Sequence, residues 1–179
     1  MECLVPRMLD AVPKGTIKVE YAGGLVVDDG NELTPTQVQH HPTLVTWAAE
    51  EGAHYCLICT DFDPPGLELE DPRKNEVIHY MVGNVPGNAL HDGEVLFEYI
   101  GAGARQGTGL HKYVFLLYKQ PGKINFNQER VSKIERKGRL PFSSRIFACQ
   151  FKLGRPVAGN FFTAQYDDYV PKLHASFID

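Results

Sequence analysis

Apolar and polar positions alternate along this chain in short runs, and Gly, Pro and Asp separate the runs. Thr16-Ile-Lys-Val-Glu-Tyr21 alternates, and Asp28-Asp-Gly30 offers a turn after Leu25-Val-Val27. Residues 43–47 and 55–60 are short and rich in β-branched or aromatic side chains. Residues 77–85 alternate loosely and stop at Pro86-Gly87, and 95–100 and 113–118 are the last clear pair. Seven short strands with turn signals between them predict a mainly β, antiparallel, sandwich-like fold.

The last third has a different period. Apolar residues recur at 146, 147, 149, 151 and 153, Ser144 stands where an N-cap belongs, and Gly154 and Pro156 follow. This predicts one helix near 144–153, packed on the sheet. Pro171 opens a second, short C-terminal helix with Leu173 and Phe177 one turn apart on its inner face. Neither a repeat nor a linker interrupts the pattern, so residues 1–179 are expected to form a single domain.

The composition is that of an ordinary globular chain. Its 179 residues suffice for one full core, with 43% apolar and 22% charged residues. A net charge of -4 gives no broad positive field, so nucleic acid is not an expected partner. The longest apolar run, 113–118, is far shorter than a membrane span. The first residues carry no basic segment followed by an apolar stretch, and Cys3, Cys56, Cys59 and Cys149 are scattered. Reduced thiols in a cytoplasmic protein are the expectation. Cys56-Leu-Ile-Cys59 lies in an apolar run where period two sends the two thiols to opposite faces, and no second pair completes a zinc site.

Three segments concentrate polar chemistry beside strands. In Thr60-Asp-Phe-Asp-Pro-Pro65, Asp61 and Asp63 are two residues apart, which in a strand makes them converge; the alternative is a solvated turn. His79 shares its face with Val77, Met81 and Val85, and reads as a core histidine unless something pairs with it. The third segment, 101–113, places four glycines within nine residues ahead of His111 and Tyr113. Such a loop either aims successive amides at one anion or simply connects two strands. It is not a phosphate-binding P-loop, because no Gly stands five residues before a Gly-Lys-Ser/Thr, nor a dinucleotide fingerprint, because Gln106 occupies the third glycine position and a strand follows.

Jointly these segments resemble the phosphatidylethanolamine-binding (Raf kinase inhibitor) family, in its animal branch. The family's T-D-P-D-A-P … W-H-H-x-x-V-x-N box stands here as Thr60-Asp-Phe-Asp-Pro-Pro65 and Val77-Ile-His-Tyr-Met-Val-Gly-Asn84. Its G-x-G-P-P-x-G-T-G-x-H-R-Y box stands as Gly101-Ala-Gly-Ala-Arg-Gln-Gly-Thr-Gly-Leu-His-Lys-Tyr113. Leu33-Thr-Pro-Thr-Gln-Val38 and Asp167-Asp-Tyr-Val-Pro-Lys-Leu173 also match.

The resemblance implies a large and a small sheet, a C-terminal helix and a small exposed pocket for phosphorylethanolamine, phospholipid head groups or related anions. The matching positions are Asp61, Asp63, Pro65, His79, Gly101, Gly103, His111 and Tyr113. The glycine loop, His79 and Tyr113 are the expected donors, and Asp61 or Asp63 is expected to orient a histidine or meet the ligand's ammonium group. A cis peptide before Pro65 is implied as well. The implied function is non-enzymatic binding with no cofactor and no metal, joined to control of a protein kinase, with peripheral membrane contact at most.

Two other functions compete. One is a protease inhibitor or signalling scaffold acting through surface loops, for which the basic stretch 133–139 could serve as a contact. The other is a metal-dependent hydrolase built on the histidines and aspartates, although no HxH or HExxH spacing occurs. The chain departs from the family at Val77, Ile78, Ala104, Arg105 and His174. It departs again at Gly66 and Leu67, with acidic Glu68, Glu70 and Asp71 behind them.

Overall fold

The runs at 55–60 and 113–118 show no polar face because the sheet they build is covered on both sides. The computed structural model describes residues 1–66 and 70–178; Leu67 and Glu68 lie outside the described residues. The strands are β1 (Gly15–Thr16), β2 (Lys18–Tyr21), β3 (Leu25–Val26), β4 (Leu44–Thr46), β5 (His54–Phe62), β6 (Glu76–Pro86), β7 (Glu94–Phe97), β8 (His111–Lys119) and β9 (Ala158–Ala164). Helix α1 (Ser144–Gln150) precedes β9, and α2 (Val170–Ala175) follows it.

Among the described residues the strands form a six-stranded sheet, β1-β9-β8-β5-β6-β7, and a three-stranded sheet, β3-β2-β4. The expected large and small sheets are therefore present, antiparallel apart from a short parallel pair of β1 with β9 at one edge. The alternating run 16–21 is divided between them, β1 joining the large sheet and β2 the small one. One face of the large sheet packs Tyr55, Leu57, Tyr80, Phe115 and Phe162 against Val19, Tyr21 and Val45 from the small sheet. The other packs Ile58, Ile78, Met81 and Leu116 against Leu4, Met8, Leu9, Phe126 and Ala148 of α1. Cys59 falls in the first core and Cys56 in the second, as period two predicts, and burial pushes both thiols up.

Strand β9 is absent from the sequence pattern. Its Ala-Gly-Asn start has low strand propensity, yet Gly159 is needed there because a Cβ would meet Met1 Cε at 2.7 Å and Phe115 O at 3.3 Å. Next to it, buried Asn160 joins the two sheets. Its Nδ2 donates to Ile17 O (2.9 Å) and Val27 O (3.0 Å), and its Oδ1 accepts from Asp29 N (3.0 Å). Asn160→Ala is expected to cost about 2 kcal/mol in urea denaturation, since buried groups lose their partners. A change below about 0.5 kcal/mol would show that water replaces these bonds freely.

Helix α1 is shorter than its apolar pattern, ending at Gln150, with Lys152 (φ 55°) and Gly154 (φ 73°) reversing the chain. The cap is Ser143, whose hydroxyl accepts from Ile146 N at 3.3 Å, and not Ser144. Ser144 is bound elsewhere. Its amide (2.8 Å) and hydroxyl (3.0 Å) both donate to Glu76 on β6, whose carboxylate also accepts from Thr60 Oγ1 (2.9 Å). Glu76 is 2% exposed, and burial outweighs these donors, raising its carboxyl to about 7.

Candidate functional site

A cleft of about 140 Å³ opens where the ends of β5, β6 and β8 meet the glycine loop, the 136–140 segment and α2. It is comparable to a cavity that holds one benzene ring, so it takes a small group and not a whole lipid. Asp61, Pro64, Pro65, Gly66, His79, Gly103, Arg105, Thr108 and His111 line it, together with Arg136, Arg139, Leu140, Leu173, His174 and Phe177.

His79 reaches the cleft because β6 is bulged. Cys59 pairs with Tyr80 and Thr60 with Ile78, so His79 is the extra residue between them. The expected face is broken twice: this bulge leaves Val77 and His79 lining the cleft while Met81 turns to one core, and a second register shift between Val82 and Val85 sends Val85 to the other. The ring is 5% exposed, with Nδ1 donating to Ile100 O at 3.2 Å and Nε2 left for a ligand. Burial lowers its pKa to about 4 against the raising effect of Asp61, so the imidazole is neutral at pH 7.

Asp61 and His111 form a buried pair across β5 and β8. His111 Nδ1 donates to Asp61 Oδ2 at 2.7 Å. On its other side, Nε2 lies 2.7 Å from Thr108 Oγ1, and that hydroxyl gives its proton to Arg105 O at 2.7 Å. Both imidazole nitrogens thus act as donors in this chain of contacts. The second oxygen, Asp61 Oδ1, is buried without a partner among the described residues. Such an atom calls for a donor from whatever fills the cleft.

The cation at the floor is Arg139, from the basic stretch 133–139 that the sequence offered only as a surface contact. It is 1% exposed. Its Nε donates to Glu135 O (2.8 Å), Nη1 to Ile78 O (3.1 Å), and Nη2 to Glu98 O (3.0 Å) and Ser132 O (2.8 Å). All four acceptors are carbonyls. A guanidinium has five N–H groups, so one on Nη1 is left over. Burial lowers the guanidinium to about 10, still charged at neutral pH. Residues 133–139 carry cations at four positions with no periodic apolar face, so only the bonds to Ile78 and Glu98 reveal which of their cations turns inward.

The glycine loop supports the cleft more than it lines it. Gly103 N donates to Tyr113 Oη at 3.1 Å, so that amide is not the free donor the motif suggests, and the phenol oxygen is an acceptor in this bond. Tyr113 is 1% exposed, burial holds its pKa far above the ordinary range, and its ring stacks on Phe162 at 5.0 Å. Gly101 packs against the 33–38 stretch, where a Cβ would come within 2.9 Å of Val38 O. His174, which replaces a family aromatic, donates from Nε2 to Gly103 O at 3.1 Å and ties α2 to the loop.

Asp63 does not converge with Asp61. Strand β5 ends at Phe62, and Asp63 takes φ 53°, turning away to Arg7 and to Asn75 Nδ2 (3.2 Å). The Pro64–Pro65 bond is trans; the cis bonds among the described residues precede Pro6 and Pro141. No cluster of three His, Cys, Asp or Glu side chains suited to a metal occurs among the described residues.

A family model for phosphatidylethanolamine-binding proteins matches residues 11–162. The chain belongs to that family. A solved structure described as "CG7054 solution structure" is 41% identical, covers all of both chains and superposes with a TM-score of 0.77. A 26 kDa secreted antigen of Toxocara canis is 38% identical over 90% of this chain, which spans 61% of the antigen's length. A putative odorant-binding protein A5 of Drosophila melanogaster is 29% identical over 95% of this chain and 80% of its own length. The phosphatidylethanolamine-binding fold thus accounts for the two sheets. Arg105, Arg136 and His174 stand around the mouth of the cleft.

Proposed function

We propose that this protein binds phosphorylated small molecules or phospholipid head groups in the cleft and does no chemistry on them. The observation that carries this reading is the buried Arg139, bonded only to carbonyls and facing a cleft whose floor also holds His79 and the Asp61–His111 pair. A phosphoryl group supplies the negative charge that the guanidinium lacks. Its protonated oxygen, or a ligand ammonium, supplies the donor that Asp61 Oδ1 lacks.

Asp61, Pro65, His79, Gly103 and His111 line the cleft on this reading, while Gly101 and Tyr113 shape it from behind. Control of a protein kinase, inherited from the family resemblance, runs through occupancy of the mouth, and membrane contact is peripheral. No described helix is long and apolar enough to cross a membrane. A reducing, cytoplasmic location is part of the proposal, supported by four unpaired cysteines.

Titration calorimetry with inorganic phosphate and phosphorylethanolamine tests the binding itself. Saturable binding of either is expected, and heat no greater than dilution up to millimolar ligand would overturn the proposal. Asp61→Ala removes both the orphaned oxygen and the partner of His111. It is expected to weaken phosphorylethanolamine binding about tenfold to a hundredfold. Unchanged affinity in the folded variant would remove Asp61 from the site.

A further inference from the structure

The floor and the mouth of the cleft differ in burial and in charge. Asp61, His79, His111 and Arg139 at the floor are each at most 5% exposed. Arg105 and Arg136, which also line the cleft, are exposed. The lining residues include three arginines and one aspartate, so leaving the histidines aside the described cleft carries 3 − 1 = 2 positive charges. Its one carboxylate is at the floor, bonded to His111.

Resting on the anion-binding reading above, we infer that Arg105 and Arg136 make the mouth a second anion subsite, selecting phosphoryl ligands that carry a carboxylate beyond the phosphate over those that carry only an ammonium group. A phosphoryl group held at Arg139 and His79 sends the rest of the ligand outward past these two cations. An ammonium-only tail, as in phosphorylethanolamine, meets like charge there, since the carboxylate among the described lining residues, Asp61, lies at the floor and not at the mouth. A carboxylate on the same short tail, as in the phosphorylserine head group, meets opposite charge.

The Arg136 guanidinium and the Arg105 backbone are both held in place. Arg136 lies over the Phe177 ring at 5.0 Å, a contact that fixes the guanidinium at the mouth while leaving its N–H groups free to donate. Arg105 begins a tight turn in which its carbonyl accepts from Thr108 N (3.2 Å) and Thr108 Oγ1 (2.7 Å). Thr108 in turn contacts His111, so this turn is coupled to the floor pair. Neither guanidinium forms an ion pair among the described residues. Exposed charges interact weakly, so the selectivity they confer is a matter of a few-fold and falls with salt.

The experiment compares inorganic phosphate, phosphorylethanolamine and O-phosphoserine by calorimetry at low salt, on the unaltered protein and on the Arg105→Gln, Arg136→Gln double variant. The unaltered protein is expected to bind phosphoserine about fivefold more tightly than phosphorylethanolamine. The double variant should bring that ratio to about one and change the inorganic phosphate affinity less than about twofold. Equal or tighter binding of phosphorylethanolamine by the unaltered protein, or an undiminished ratio in the double variant, overturns the mouth subsite and leaves the anion-binding reading standing. Failure of all three ligands overturns the binding reading itself, and the subsite with it.

Sedimentation with phosphatidylserine or phosphatidylethanolamine vesicles separates the two sources of this chemistry. Selective capture by phosphatidylserine vesicles, lost in the double variant, assigns the lipid. A preference in solution without capture assigns the free ester.

Discussion

Arg139→Met is expected to lower stability by about 3–5 kcal/mol and to remove phosphate binding from whatever folded protein remains. The aliphatic stem is preserved by methionine, so packing changes little, and the effect isolates the guanidinium. Four carbonyls from separate segments depend on it: Ile78 on β6, Glu98 just beyond β7, and Ser132 and Glu135 in the long connection to α1. Each stranded acceptor costs about 1–3 kcal/mol, partly offset because a buried charge is also removed. For a domain of this length the melting temperature should fall by roughly 10 °C.

Arg139→Lys is informative beside it. It keeps the charge but offers three donors from one point, and cannot span carbonyls spread around the edge of the planar guanidinium. Most of the stability should therefore be lost with lysine too, while weak anion binding survives. A methionine variant within 1 kcal/mol of the unaltered protein would mean that these carbonyls find other partners and that Arg139 does not organise the floor.

The same residue shows where sequence reading stops. Strands β5 and β8 were legible because an apolar run between turn signals has few alternatives, and the two boxes around them located the cleft. What the sequence pattern could not convey is the direction in which individual side chains point. The aim of His79 depends on a one-residue bulge opposite Cys59 and Thr60, which reverses the period-two assignment made from the sequence. Asp63 is lost to the site through a single positive φ after the strand ends.

Arg139 was hidden for a different reason. Its neighbours Lys133, Arg136 and Lys137 are exposed, and nothing local distinguishes the one cation of that stretch whose acceptors lie on β6 and beyond β7. The glycine loop was read correctly as a motif, yet its Gly103 amide is spent on Tyr113, a bond between residues ten apart. Strand β9 escaped because its Gly-Asn pair serves close packing and sheet-to-sheet hydrogen bonds, both set by tertiary structure.

The largest pH effect is expected from two buried groups whose contributions oppose each other. His79 titrates near 6.5 when unfolded and at about 4 when folded. Between those values the unfolded chain binds the extra proton, so this group's stabilisation is fully present above pH 6.5 and is lost as the pH falls through 4. Glu76 runs the other way, from about 4.5 unfolded to about 7 folded. There the folded protein keeps the proton, so its stabilisation is fully present below pH 4.5 and is lost as the pH rises through 7. Each difference of about 2.5 pH units corresponds to about 3 kcal/mol.

From pH 4.5 to 6.5 the two slopes cancel, and these groups leave the unaltered protein with a flat stability profile. Glu76→Gln removes one slope. Gln can still accept from Ser144 through its carbonyl oxygen and can donate to Thr60 Oγ1 through its amide nitrogen, and its stability relative to the unaltered protein should rise by about 3 kcal/mol between pH 4.5 and 7.5. His79→Gln removes the other, and its relative stability should fall by about 2–3 kcal/mol from pH 4.5 to 6.5.

Urea titrations at half-unit pH steps measure both differences directly. Parallel profiles for a variant and the unaltered protein would show that the group concerned titrates alike in both states. Saturating phosphate adds a further sign to the His79 result. An anion beside the imidazole favours its charged form, so phosphate should shift the acid limb downward in pH for the unaltered protein and leave the His79→Gln profile less affected.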